Sequence, residues 1–200
     1  MEVGGACYRI VHAASAEALL DEKDFEREER LPYWAELWPS AIALARYLSR
    51  EDLSGRRAIE LGCGVGLPTV VALSRGGEVL ATDHYEAALD FTVYNARSNL
   101  DRTPRTALLD WRTPERLGSF DLVLAADVLY ERRNAPVLAD LVPGLLAPRV
   151  GEAIFADPRR EGAPSFLGLM EERGFRTTTE DMLVEQGGRE VRVLVHRLRS

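Results

Sequence analysis

Short apolar runs alternate with amphipathic stretches along most of this chain, a rhythm that predicts βα units around a parallel sheet. Arg57 to Leu61 reads as the first sheet strand, followed by a glycine-rich turn and a helix from Leu67 to Arg75. Glu78 to Thr82 forms a second strand with its helix at Glu86 to Ser98, and Thr106 to Asp110 a third, shorter strand. Asp121 to Ala126 is an apolar run, as expected of a strand covered on both faces. A helix from Asn134 to Leu146, a strand from Ala153 to Ala156 and a helix from Ser165 to Arg173 follow, the last closed by Gly174.

The period changes near the end of the chain. Val191, Val193 and Val195 alternate with Arg192, Leu194 and His196, a period of two. Phe175 to Glu185 and Glu190 to Arg199 flank Gln186-Gly187-Gly188-Arg189, whose central glycines suit a tight hairpin. The expected fold is therefore α/β: a Rossmann-like, seven-stranded, mostly parallel sheet with helices on both faces and a C-terminal antiparallel hairpin. A plain dinucleotide domain, by contrast, usually runs parallel throughout.

Ahead of the sheet, Ser15 to Arg30 is strongly charged and reads as helical. In Pro32 to Arg50, Pro39 fits a helix's first turn, and Ile42, Leu44, Ala45 and Leu48 mark an apolar face. Residues 1–50 are expected to form a helical cap segment on a core spanning 51–200, one domain overall. His12 and His196 fall in strand-like stretches and read as structural or exposed.

Composition narrows the function classes. Hydrophobic residues are 46% and charged residues 28%, the balance of a soluble globular protein. A net charge of −7 argues against a broad phosphate-binding surface, so no nucleic-acid partner is expected. No apolar run is long enough for a membrane span, and Met1 to Arg9 lacks the order of a secretory signal. Cys7 and Cys63 are too few for a disulfide framework, and no His/Cys/carboxylate set has metal-ligand spacing. We expect a cytoplasmic monomer without a metal.

The chemistry concentrates in Glu60-Leu61-Gly62-Cys63-Gly64-Val65-Gly66-Leu67, which follows a strand and opens a helix. Glycines let such a loop turn sharply and let a ligand approach the main chain. Asp83 ends the next strand, where a carboxylate can accept from two ribose hydroxyls, and His84 stands beside it. Leu67 occupies the position where a pyrophosphate-binding loop wants glycine, which disfavours a nicotinamide-dependent reductase. Glu60 is poorly placed beside a pyrophosphate and better suited to a ligand with an amino group or sulfonium. S-adenosylmethionine, with its amino group, sulfonium, ribose and adenine, is the cofactor this loop fits. Asp110 can accept from the adenine amino group, and Trp111 can cover the ring. Ala126 ends the buried strand and is a candidate cofactor contact, and Asp127 and Tyr130 follow it, at the carboxyl end where open α/β sheets bind ligands. There Asp127 could orient a nucleophile and Tyr130 line its channel, whereas a bland reading makes Asp127 a helix cap.

Four blocks carry a family resemblance: Pro32-Tyr33-Trp34-Ala35-Glu36-Leu37-Trp38-Pro39-Ser40, Glu60 to Gly66, Leu109-Asp110-Trp111, and Asp127-Val128-Leu129-Tyr130. Their order and spacing resemble the family-16 branch of seven-β-strand (class I) S-adenosylmethionine-dependent methyltransferases. Pro32 to Leu48 together with Asp157-Pro158-Arg159-Arg160 looks most like the branch members acting on lysine in the electron-transfer flavoprotein β-subunit. The Asp-Val-Leu-Tyr block is closer to other lysine methyltransferases of the branch. The resemblance implies that Trp38 contacts the cofactor, Glu60 with Gly62, Cys63, Gly64 and Gly66 its methionine part, Asp83 the ribose, and Asp110 with Trp111 the adenine. It implies that Asp127 and Tyr130 serve a substrate lysine on another protein. A small-molecule amine of the nicotinamide type, or a non-catalytic cofactor-binding scaffold, stays open as an alternative. An open groove rimmed by Glu36, Glu131 and the acids of Asp21 to Glu29 would suit a protein lysine; a closed cap would suit a small molecule.

Overall fold

A computed structural model describes residues 1–14, 32–114 and 117–200. The strongly charged stretch Ser15 to Arg30 lies outside the described residues.

Nine strands and five α-helices are found among the described residues: β1 (Glu2–Val3), β2 (Ala6–Cys7), α1 (Pro39–Leu48), β3 (Arg57–Leu61), α2 (Leu67–Ser74), β4 (Glu78–Asp83), α3 (Glu86–Leu100), β5 (Arg105–Leu108), β6 (Leu122–Ala126), α4 (Asn134–Leu145), β7 (Glu152–Asp157), α5 (Ala163–Glu172), β8 (Arg176–Gln186) and β9 (Arg189–Arg199). Seven of the strands form one sheet in the order β5-β4-β3-β6-β7-β9-β8. The first five are parallel, and β9 pairs antiparallel with both β7 and β8. The expected α/β architecture with a reversed final strand is thus the observed one. Between β8 and β9, Gly187 and Gly188 take φ of 59° and 73°, the pair of left-handed residues a two-residue hairpin turn needs.

Alternation along the strands divides the core between the two faces. Ala58, Leu122, Leu124, Ile154 and Ala156 pack on one side with α1 and α2. Ile59, Leu61, Val123, Ala125, Ala153 and Phe155 pack on the other with α4 and α5, where Phe155 stacks on Phe166 at 4.5 Å. α1 starts at Pro39 and buries Ile42, Leu44, Ala45 and Leu48 against the sheet and α2. Sheet order reverses at β3, whose chain continues through α2 to β4 on one side while β6 flanks it on the other. The register sets Leu61 beside Thr82 and Ala125, and Asp83 beside Leu108. The loops after these strands therefore converge at one edge, the usual ligand position in such sheets.

Element ends shift by a residue or two from the sequence expectation, and two differences have a plain cause. β5 ends at Leu108 rather than Asp110, because the Asp110 carboxylate accepts the backbone N–H of Arg112 at 3.0 Å and turns the chain. The segment around His12 is not a strand. Arg9 and Val11 bond instead to side-chain amides: Val11 N–H to Asn95 Oδ1 and Arg9 N–H to Asn99 Oδ1, both 2.8 Å, with the two amide groups donating back to Val11 and Arg9, while Ala13 N–H donates to Ala35 O. Before it lies the small β1–β2 hairpin, turned by Gly4 and Gly5 at φ of 59° and 79°.

Candidate active site

The converging loops enclose a cleft of about 1310 Å³. Every residue singled out from the sequence lines it: Trp38, Glu60, Gly62, Cys63, Gly64, Gly66, Asp83, His84, Asp110, Trp111, Ala126, Asp127 and Tyr130.

Its floor is the turn between β3 and α2. Gly66 sits at φ 82°, and a Cβ there would lie 2.5 Å from Thr92 Oγ1, so only glycine lets α3 approach this closely. Thr92 Oγ1 uses that proximity to donate its single proton to Gly64 O at 3.0 Å, with Cys63 Sγ 3.3 Å away. Gly62 is at φ 69°, and a Cβ there would crowd Trp111 and Val128 at 3.3 Å. Burial pushes the Cys63 thiol well up, reinforced by the charges of Asp83 and Glu60, so it stays an unreactive wall.

Two buried carboxylates flank this turn. Glu60 is 1% exposed and accepts from Thr69 Oγ1. Burial pushes its carboxyl up to about 8, outweighing the Thr69 hydrogen bond, with Asp83 adding in the same direction. Asp83 accepts the N–H groups of Gly64 and Tyr85, both at 3.0 Å, and burial raises it as well. Neither forms an ion pair among the described residues. Two buried, cleft-lining carboxylates without a cationic partner are what a bound ammonium or sulfonium would complete, and Asp83 keeps lone pairs for hydroxyl donors. These residues fit S-adenosylmethionine on that ground.

Beyond β5, Arg112 donates to both oxygens of Asp110 at 2.9 and 2.7 Å and holds its carboxyl at about 2. Trp111 packs over Gly62 against the core beneath the sheet.

At the other end, Asp127 follows β6 with φ 58° and donates its N–H to Ala156 O at 2.9 Å. It does not cap α4, which starts after Arg133. Its carboxylate accepts from Arg160 Nε at 2.8 Å and Nη2 at 3.3 Å, with Ser40 Oγ at 3.4 Å. The Asp127 side chain is only 8% exposed. Arg160 is itself placed by Asp157, which accepts its backbone N–H at 2.6 Å. Tyr33 meets Trp38 edge-on at 6.0 Å and Tyr130 edge-on at 6.3 Å. Trp38 Nε1 donates to Tyr33 O at 2.8 Å, locking the indole beside that ring.

Arg160, Tyr33, Trp34 and Arg112 also line the cleft, and sequence reasoning assigns them no role. Tyr33 and Trp34 belong to the aromatic block before α1, and Arg160 to the Asp-Pro-Arg-Arg turn after β7, so the signal was their place just before or after an element at this edge. Glu36 and Glu131 do line the cleft, whereas the acids of Asp21 to Glu29 are outside the described residues. No group of three or more His, Cys, Asp or Glu that could hold a metal occurs among the described residues. No helix among them is long and apolar enough to cross a membrane.

The profile of the lysine methyltransferase family matches residues 23–173. Protein N-lysine methyltransferase METTL21A of Danio rerio is 34% identical over 140 residues, 64% of this chain and 64% of that protein. Electron transfer flavoprotein beta subunit lysine methyltransferase of Danio rerio is 32% identical over 132 residues, 64% of this chain and 51% of its own length. The chain therefore spans from about half to just under two thirds of these relatives. In fold, magnesium protoporphyrin IX methyltransferase of Synechocystis PCC 6803, solved with bound S-adenosylmethionine, superposes with TM-score 0.66 at 17% identity, covering 94% of this chain and 99% of that one. The sheet with its reversed last strand is the Rossmann-like methyltransferase fold, and the chain belongs to the lysine methyltransferase family.

Proposed function

We propose that this chain is an S-adenosylmethionine-dependent N-methyltransferase acting on a lysine side chain of another protein. The observation that carries the reading is the polarity of this cleft. Buried carboxylates without ion partners among the described residues, Glu60 and Asp83, stand by the glycine turn, while an aromatic mouth with a fixed Asp127 stands by β6.

When bound, the cofactor supplies an activated methyl group. Glu60 and the turn from Gly62 to Gly66, with Cys63, would hold its methionine part. Asp83 with His84 would hold the ribose, Asp110 and Trp111 the adenine, and Trp38 and Ala126 would close over it. Asp127 would orient the acceptor nitrogen, and Tyr130 would line its approach. A lysine amine must be neutral to attack, so its proton passes to water while the cleft wall excludes bulk solvent from the line of transfer. Residues 1–50 would act as a cap on the core, whose segment 33–38 already walls the cleft. We read the protein as a cytoplasmic monomer without a nucleic-acid partner.

The test is methyl transfer from radiolabelled S-adenosylmethionine to lysate proteins, with labelled residues mapped by mass spectrometry. Lys23 is the chain's single lysine, so a Lys23→Arg control removes self-methylation at lysine. Asp127→Asn keeps a residue that tolerates positive φ and should lower transfer on the order of 100-fold with cofactor affinity within about twofold. Undiminished transfer in that variant would refute the role of Asp127. Label confined to small molecules would replace the protein acceptor by an amine, and cofactor binding without any transfer would leave a scaffold.

A further inference from the structure

The glycine turn after β3 has three consecutive carbonyls tied off. Cys63 O accepts the Gly66 N–H at 2.8 Å, Gly64 O accepts from Thr92 Oγ1 at 3.0 Å, and Val65 O accepts from Asn95 Nδ2 at 2.8 Å. Thr92 and Asn95 stand three residues apart on α3, so one face of that helix fixes the turn. Both are fully buried and neither lines the cleft.

Asn95 has a second set of partners. Its Oδ1 accepts the Val11 N–H at 2.8 Å, and its Nδ2 donates to Val11 O at 2.9 Å as well as to Val65 O. A carboxamide has two N–H donors, and both are used here. One buried amide is therefore divided between the glycine turn and a strap formed by residues 9–13. The strap is fastened on either side of Asn95. Asn99 exchanges two hydrogen bonds of 2.8 Å with Arg9, and the Ala13 N–H donates to Ala35 O at 2.8 Å. Ala35 follows Trp34, whose carbonyl oxygen lies 3.0 Å from where a Cβ of Gly64 would stand. The strap thus reaches the turn by two routes.

We propose that Asn95 is a positioning residue for the cofactor, and that through it the strap at residues 9–13 is energetically coupled to the glycine turn. This rests on the methyltransferase reading and adds that residues outside the cleft set cofactor affinity. The physical reason is the cost of an unpaired buried amide. With the strap undocked, Oδ1 and one N–H of Asn95 lose their partners inside the core. Turning the side chain toward water regains them but releases Val65 O, which frees the peptide between Val65 and Gly66. Gly64 and Gly66 carry no side chains to hold φ at 52° and 82°, so the turn loses its shape once that carbonyl is loose. A docked strap keeps the turn ready for its ligand. Linkage is reciprocal: the factor by which the docked strap tightens cofactor binding is the factor by which bound cofactor tightens strap docking.

The test uses the full chain with S-adenosylhomocysteine as the probe, following affinity by calorimetry and amide hydrogen exchange by NMR. Saturating ligand should slow exchange of the Val11 and Ala13 amides about fivefold, while the β8–β9 hairpin amides stay unchanged. Val11→Pro deletes the N–H that Asn95 Oδ1 accepts, at a side chain 41% exposed and outside the cleft, and should weaken binding about fivefold. Asn95→Ala removes both sets of bonds and should weaken it about tenfold, and Asn99→Ala, which loosens only the Arg9 end, about twofold. Melting curves show whether each variant is folded; if Asn95→Ala is not, Val11→Pro and the parent's exchange decide. Exchange at Val11 that ligand leaves unchanged, or slows no more than at the hairpin, overturns the coupling alone, as does parent-like affinity in Val11→Pro. Parent-like affinity in folded Asn95→Ala overturns the positioning role. Failure of the parent to bind S-adenosylhomocysteine overturns the methyltransferase reading and this inference with it.

Discussion

Glu60 should give up its proton when the cofactor binds. Its side chain is fully buried beside the glycine turn, with its carboxyl at about 8. At pH 7 about 0.9 of the molecules therefore carry Glu60 neutral, from the ordinary titration relation. A bound ammonium or sulfonium beside it reverses the balance, since the nearby positive charge favours the carboxylate. Binding at pH 7 should release about 0.9 proton, and affinity should rise about tenfold from pH 6 to pH 7, where the cofactor's own amino group stays protonated. Calorimetry in two buffers of different ionisation enthalpy measures the released proton directly. Glu60→Gln keeps a hydrogen-bonding amide in the same space and should abolish both the release and the pH slope. Equal proton release in parent and variant, or none in the parent, would refute the assignment of Glu60 to the cationic part of the ligand. The same group shapes stability without ligand. A carboxyl raised from 4.5 to about 8 adds stability that is fully present below pH 4.5 and is lost as pH rises through 8.

Two further perturbations test the frame around the cleft. Gly66→Ala should cost about 3 kcal/mol, combining a left-handed backbone with a Cβ driven to 2.5 Å from buried Thr92, whereas Gly174→Ala, at φ 88° with nothing nearby, should cost only about 1–2 kcal/mol; denaturant titration separates the two. At the opposite edge of the sheet, burial would raise Glu152, but hydrogen bonds and charge from Arg197, Arg199 and Arg56 overcome it and hold the carboxyl at about 2. That lowered carboxyl supplies stability present above pH 4.5 and lost toward pH 2, so Glu152→Gln should be destabilised by about 2 kcal/mol at pH 6 and flatten the acid limb of a stability–pH curve.

The parts of this protein that could be read from its sequence are those in which one local rule fixes the answer. Alternating apolar runs fixed the strands, because a parallel strand covered on both faces tolerates almost nothing else. Gly187-Gly188 marked the hairpin, because two left-handed residues in a row are costly for most side chains. The thirteen residues brought to the cleft were legible for the same reason: each sits within a few residues of a strand's carboxyl end or in the aromatic block before α1. What stayed hidden depends on partners far along the chain. Asp127 announces itself after β6, but its pairing with Arg160 joins positions 33 residues apart, and its contact with Ser40 joins positions 87 apart. The strand-like run around His12 pairs with no strand among the described residues, because Asn95 and Asn99 supply the amide groups that a neighbouring strand would otherwise provide. The consequence reaches the chemistry. From sequence, Asp127 is a charge awaiting an amine. In the folded chain that charge is paired with Arg160, which fixes the carboxylate where it lines the cleft.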